Sequence, residues 1–131
     1  PEPKCIEVER IDHLVITTAD LPRCLEICVD VLGMRHEVYA GRNTLHFGQK
    51  KINIHTAPGE FQPAAANPVT GSVDLCLIVR NNWQSLTDAL LRSPFKPISS
   101  IERKTGALGP IQSIYLRDPD GNLIELARYE D

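Results

Sequence analysis

Ile11-Asp12-His13-Leu14-Val15-Ile16, near the start of the chain, and Ser72-Val73-Asp74-Leu75-Cys76-Leu77, in its middle, decide the fold when laid over one another. Both read as β-strands, short and rich in apolar and β-branched residues. Aligned without gaps, they put His13 on Asp74, a metal-capable side chain at the same point of two similar runs. Two further strands of this kind are Ile52-Asn53-Ile54-His55 and Asn122-Leu123-Ile124-Glu125. One pair of such strands lies in each half, so the chain reads as a duplicated module.

Working outward from these strands, the order of elements repeats. Strand 10–17 is followed by a helix capped by Asp20, with Leu21, Cys24, Leu25, Cys28 and Leu32 on one stripe and Gly33 at its end. Strands are expected at 34–40, 44–48 and 51–56, with turns at Gly41-Arg42-Asn43 and Gln49-Lys50. Residues 57–69, with three prolines and four alanines, form a linker that Phe61 anchors to the surface it crosses. The second half then offers a strand at 72–79 and a helix capped by Asn81 or Asn82 that carries Trp83, Leu86 and Leu90. Strands follow at 98–103, 111–117 and 122–128. Thr105 to Pro110 is a glycine-punctuated loop, and Asp118-Pro119-Asp120-Gly121 a strong turn. The plan is βαβββ twice: an α+β fold of one domain over residues 1–131, with modules at 8–56 and 70–129.

Length and composition narrow the function. A chain of 131 residues is one domain by length and buries a real core. Its net charge is −3, and its Lys and Arg residues are scattered, with no basic stripe for nucleic acid. No apolar run is long enough to span a membrane. The first residues carry no signal-peptide pattern, and the four cysteines form no C-x-x-C motif, so a reduced, cytoplasmic protein is expected.

Strand side chains alternate between two faces. Leu14 and Ile16, Ile52 and Ile54, Leu75 and Leu77, and Ile124 and Leu126 supply the apolar faces that pack under helices. The opposite faces carry His13, Asn53, His55, Asp74 and Glu125. Curled into an open barrel, these strands would aim the polar groups into one concave space. Two imidazoles with one or two carboxylates suit a divalent metal such as Fe, Mn, Ni, Co or Zn. A lone carboxylate in a strand is costly without a partner, so Glu125 faces either a metal or an arginine such as Arg10 or Arg117.

With these motifs in place the chain resembles the vicinal oxygen chelate superfamily, which includes glyoxalase I, ring-cleaving extradiol dioxygenases, and fosfomycin-resistance and bleomycin-binding proteins. The resemblance runs from Ile11 to Tyr129. It is carried by the opening Ile-Asp-His-Leu-Val-Ile, by Val31-Leu32-Gly33-Met34, and by Tyr115-Leu116-Arg117-Asp118-Pro119-Asp120-Gly121-Asn122-Leu123-Ile124-Glu125-Leu126. Asn53-Ile54-His55 and the Thr105 to Ile111 loop are similar to a branch of small glyoxalase-domain proteins, some of them named as bacterial virulence proteins.

The resemblance implies an open, cupped, barrel-like sheet around one site. It implies metal ligands at His13, His55 and Glu125, with Asp74 as a fourth ligand, an orienting partner or a catalytic carboxylate. In the family a histidine stands where this chain has Asp74. Asn53 is expected as a wall of the pocket, Tyr115 as a catalytic residue of the dioxygenase kind, and Lys104, with Arg103, as a binder of an anionic substrate. His36 and His46 are expected outside the site, and Asp118 and Asp120 as turn-formers. The implied function is a metal-dependent lyase, isomerase or extradiol-type dioxygenase acting on a small vicinal-oxygen substrate, and the implied assembly a homodimer. The alternative is a metal-free, drug-sequestering binding protein of the same fold.

Overall fold

The computed structural model of the chain describes residues 5–130. In chain order its elements are β1 (His13–Thr17), α1 (Leu21–Leu25) continuing into a π-helical stretch (Glu26–Val31), β2 (Arg35–Tyr39), β3 (Arg42–Phe47), β4 (Lys50–His55), β5 (Asp74–Ile78), α2 (Trp83–Arg92), β6 (Glu102–Gly106), β7 (Gly109–Arg117) and β8 (Leu123–Tyr129). The doubled βαβββ order is therefore present. Each module makes one four-stranded mixed sheet, ordered β1-β4-β3-β2 and β5-β8-β7-β6. The first and last strands of each module pair in parallel, and the remaining pairs are antiparallel. The result is an α+β fold of two sheets that are not closed into a barrel.

The helix starts follow from local chemistry. The Asp20 carboxylate accepts from the Arg23 N–H at 3.1 Å, and the Asn82 side chain accepts from the Ser85 N–H at 2.8 Å. The first helix departs from expectation after one turn. Its hydrogen bonds widen, with Leu32 N–H donating to the Ile27 carbonyl at 2.9 Å. This stretch buries the consecutive residues Ile27 and Cys28, which a regular helix would rotate apart.

The sixth strand also differs. It runs over Glu102–Gly106 rather than 98–103, and the glycine-punctuated segment is a tight hairpin in which Gly106 faces Gly109. A side chain at Gly106 would collide with the Tyr129 hydroxyl, 2.7 Å from where its Cβ would stand. The glycine is there for that close approach.

The apolar faces of both sheets turn toward one shared core. Ile16, Leu45, Ile52 and Ile54 from the first module join Ile114, Leu116, Ile124 and Leu126 from the second, with Cys24, Ile27, Leu86 and Leu90 from the helical segments. Cys24 and Cys28 are small core residues, and all four cysteines are free thiols. The turn before β8 ties the modules together. Asp118 accepts from Asp120 N–H, Asn122 N–H and the Asn122 amide at 2.7–3.0 Å, as a turn-former should. Asp120 does more, accepting from the Thr18 hydroxyl at 2.5 Å and the Ala19 N–H at 2.8 Å across the module boundary. Among the described residues no helix is long and apolar enough to cross a membrane.

Candidate functional site

Because the apolar faces share one core, the two polar faces are left opening outward. On the first, β1 and β4 run parallel with Val15 beside Asn53 and Thr17 beside His55. His13, Val15, Asn53 and His55 line a partly open cavity of about 450 Å³, and the linker forms its other side with Phe61, Pro63, Ala64 and Val69. Phe61 is the anchor expected of it. Its ring meets the His55 imidazole edge-on, centroids 5.3 Å apart, and carries the Arg42 guanidinium 4.2 Å above its face.

Two features make this face chemically unusual. His13 Nδ1 donates to the Asp12 carboxylate at 2.8 Å, a contact that holds the Asp12 carboxyl below its ordinary range. With Nδ1 so engaged, a ligand would meet the ring at Nε2. His55 is only 7% exposed, yet its Nδ1 has no hydrogen-bond partner, and neither does Asn53 Oδ1. An unsatisfied buried polar atom costs about 1–3 kcal/mol. Both atoms belong to residues that line the cavity, and among the described residues nothing bonds to either.

The second polar face carries the carboxylates. Asp74 and Cys76 lie exposed on β5, and Cys76 stands beside Glu125 of β8. The fully buried Ser113 donates its hydroxyl to Glu125 Oε2 at 2.5 Å, and Tyr115 is Glu125's neighbour across the ladder. Neither Arg10 nor Arg117 is the partner of Glu125. Arg10 pairs with Glu9 and Arg117 donates to the Gly121 carbonyl. Burial first, and then the Glu125 charge, raise the Tyr115 phenol above its ordinary pKa, so it stands as a protonated donor. Burial, then Glu125 and Asp74, push the Cys76 thiol up to about 11. Glu125 and Cys76 border an open hollow of about 370 Å³ with Ile78, Thr105, Ile111 and Tyr129.

The sequence-predicted residues therefore fall into two groups. His13, Asn53 and His55 come together on one face, while Glu125 lies with Asp74, Cys76 and Tyr115 on the other. Among the described residues no three of His, Cys, Asp and Glu stand close enough to hold a metal between them. His36 and His46 sit outside the site, bonded to Asn43 at 2.8 Å and Thr44 at 3.0 Å. Lys104 lies over the Tyr115 ring at 5.8 Å, and Arg103 pairs with Glu130 at 3.1 Å. Three participants escaped the sequence reading: Asp12, Ser113 and Arg42. Ser113 had one legible signal, a small polar residue two before Tyr115 on the same strand face. Arg42 had none, reading as an ordinary turn residue.

Against this geometry the comparisons with known proteins are consistent. The virulence protein STM3117 of Salmonella typhimurium is 40% identical over 123 residues, covering 93% of this chain and 85% of that protein. Its crystal structure superposes with a TM-score of 0.91 at 39% identity, covering 95% of this chain and all of that one. The glyoxalase domain-containing protein RDO1 of Mycosarcoma maydis is 40% identical over 127 residues, 96% of this chain and 72% of that protein. At 13% identity the fold alone is shared with TnmS3, an antibiotic binding protein from Streptomyces, with a TM-score of 0.72 and coverage of 95% and 99%. The family model of the glyoxalase/bleomycin resistance protein/dioxygenase superfamily matches residues 10–126, and the chain belongs to that superfamily.

Proposed function

We propose that the protein is a metal-dependent enzyme of the glyoxalase or ring-cleaving dioxygenase type, with its site assembled from facing halves of two copies. The observation that carries this reading is the unpartnered Nδ1 of buried His55, on the same cavity floor as an Asp12-oriented His13. These imidazoles and Glu125 are the nitrogen and oxygen donors that suit divalent Fe, Mn, Ni, Co or Zn. Pairing of two copies is supported by the open polar faces, where Val15 and Ile78 remain 45% and 55% exposed. One face is imidazole-bearing and the other carboxylate-bearing, so a first-module face set against a partner's second-module face brings complementary groups together.

When bound, the metal supplies Lewis acidity to two adjacent substrate oxygens. The chain's own groups do the rest. His13 is kept in one tautomer by Asp12, and Glu125 is held in place by Ser113. Asp74, exposed on β5, is the carboxylate free to carry a proton, and the Tyr115 phenol is a donor beside Glu125.

The test is elemental analysis of protein purified without chelator, beside His13→Ala and Glu125→Ala. Near-stoichiometric metal lost in both variants is expected. Iron would direct the search to oxygen chemistry with Tyr115, and nickel, cobalt or zinc to isomerase or lyase chemistry. Metal retained in either variant sinks the assignment. A second reading, a metal-free binding protein, is favoured by the 450 Å³ cavity being lined from a single chain. It predicts no metal even after reconstitution, and ligand affinity without turnover.

A further inference from the structure

Arg42 is the one arginine of the first module left without an acid. Arg10, Arg23 and Arg35 hold Glu9, Glu26 and Glu37 at 2.7, 2.8 and 3.0 Å, while no carboxylate among the described residues pairs with Arg42. Its guanidinium is instead laid flat on Phe61, 4.2 Å from the ring centroid. That stack positions the planar group but uses none of its five N–H donors. Arg42 lines the roofed cavity and also a smaller recess of about 110 Å³ that shares Asn53, His55 and Phe61 with it and adds Lys51. Lys51 is a second cation at the recess, near enough to help His13 hold the Asp12 carboxyl low.

The neighbouring vacancy of bonding is of the opposite kind. Asn53 Oδ1 is buried and lacks a donor. A ligand that satisfies both presents an oxyanion to Arg42 and a hydrogen-bond donor, such as a hydroxyl, to Asn53. The remaining walls mix Val15, Ala64, Pro63 and Val73 with the polar Thr17, Gln62, Asn67 and Ser72, and the cavity suits a small ligand. We infer that this cavity selects a small carboxylate that also carries a hydrogen-bond donor such as a hydroxyl, with Arg42, stacked on Phe61, as its anion-binding arm. This rests on taking the cavity as the substrate site, and not on the metal. It assigns the anion-binding role to Arg42 rather than to Lys104 or Arg103, which are engaged with Tyr115 and Glu130.

The probe is lactate, with propane-1,2-diol as the neutral vicinal-oxygen control of the same size. Binding to EDTA-treated protein is followed by calorimetry and ligand-observed NMR. Lactate should bind and the diol should not. Arg42→Gln should weaken lactate about tenfold, as expected for loss of a charge-assisted hydrogen bond at a partly exposed site. Arg42→Lys should recover part of that loss, and Phe61→Leu should fall between wild type and Arg42→Gln. The inference is overturned if lactate does not bind, if the diol binds equally well, or if Arg42→Gln leaves the lactate affinity unchanged. Metal content measured on the same preparations separates the two readings. Arg42-dependent lactate binding in a protein that never takes up metal sinks the metalloenzyme and leaves the anion arm standing. Stoichiometric metal with Arg42-independent binding does the reverse.

Discussion

The two modules share one strand plan and almost nothing else at their polar faces. In the first, Val15 stands beside Asn53 and Thr17 beside His55; in the second, Cys76 stands beside Glu125 and Ile78 beside Ala127. By register, then, His13 corresponds to Asp74 and Asn53 to Glu125, while His55 has Ala127 as its counterpart. Duplication explains the positions of His13, Asn53, Asp74 and Glu125. His55 is an addition made by one module alone, two residue pairs further along the ladder. The roof repeats the asymmetry, since the linker covers the histidine face and leaves the carboxylate face open. What the difference teaches is that a repeated scaffold fixes where functional side chains stand, while the chemistry is divided unequally between the copies.

The strongest way to break this comparison is to ask whether the modules are separate at all. Leu126 belongs to the second module and is fully buried in the shared core. Leu126→Ala should cost roughly 2–5 kcal/mol. Denaturation followed by Trp83 fluorescence and by circular dichroism should give one coincident transition. Two transitions would mean that the modules melt independently, and the shared core would lose its meaning.

Mixing single variants sharpens the comparison next. His13→Ala disables one face and Glu125→Ala the other. If each site joins faces from two chains, subunit exchange in an equal mixture should restore about a quarter of the wild-type metal content, by random pairing of symmetric dimers. Metal that stays absent after verified exchange would place all ligands within one chain.

A smaller effect separates the two strand-connecting turns. Asp120, in the turn before β8, receives two hydrogen bonds from the other module, whereas Gln49, in the matching turn before β4, is exposed. Asp120→Ala should cost about 1–2 kcal/mol in urea denaturation and Gln49→Ala a few tenths at most. Equal costs would remove the cross-module tie from the account.

The smallest effect concerns the roof. Glu60 accepts from the Thr56 N–H and hydroxyl at 2.9 and 2.7 Å, which holds its carboxyl below the ordinary 4.5. A lowered folded pKa means the contact is fully present above about pH 4.5 and is lost as pH falls through the folded value. Protection of the residue 56–60 amides, taken relative to their intrinsic exchange at each pH, should therefore fall in acid, and Glu60→Gln should show the lowered protection already at pH 7. Exchange indifferent to both would show that Phe61, not Glu60, secures the roof.

Strand order, the doubled module, both helix caps, Phe61 as anchor and Asp118 as turn-former were legible in the chain, because alternation, capping and turn chemistry act over a few residues. The early end of the regular helix was not, since it depends on packing Ile27 and Cys28 into a core drawn from both modules. Nor was the strand at Glu102–Gly106, where the Gly106–Tyr129 approach decides what looks like loop.

By itself the sequence determined that His13 and Asp74 share a repeated strand position and that they, Asn53 and Glu125 lie opposite an apolar face, a consequence of the two-residue period of strands. Only the tertiary structure decided that those faces open outward as two surfaces, because the apolar faces of both sheets bury best against each other. It also decided that His55 is buried with a free nitrogen and that Arg42 rests on Phe61 without an acid. Those facts depend on how a linker crosses a sheet and on what lies within a few ångströms across the fold, which no local pattern of residues records.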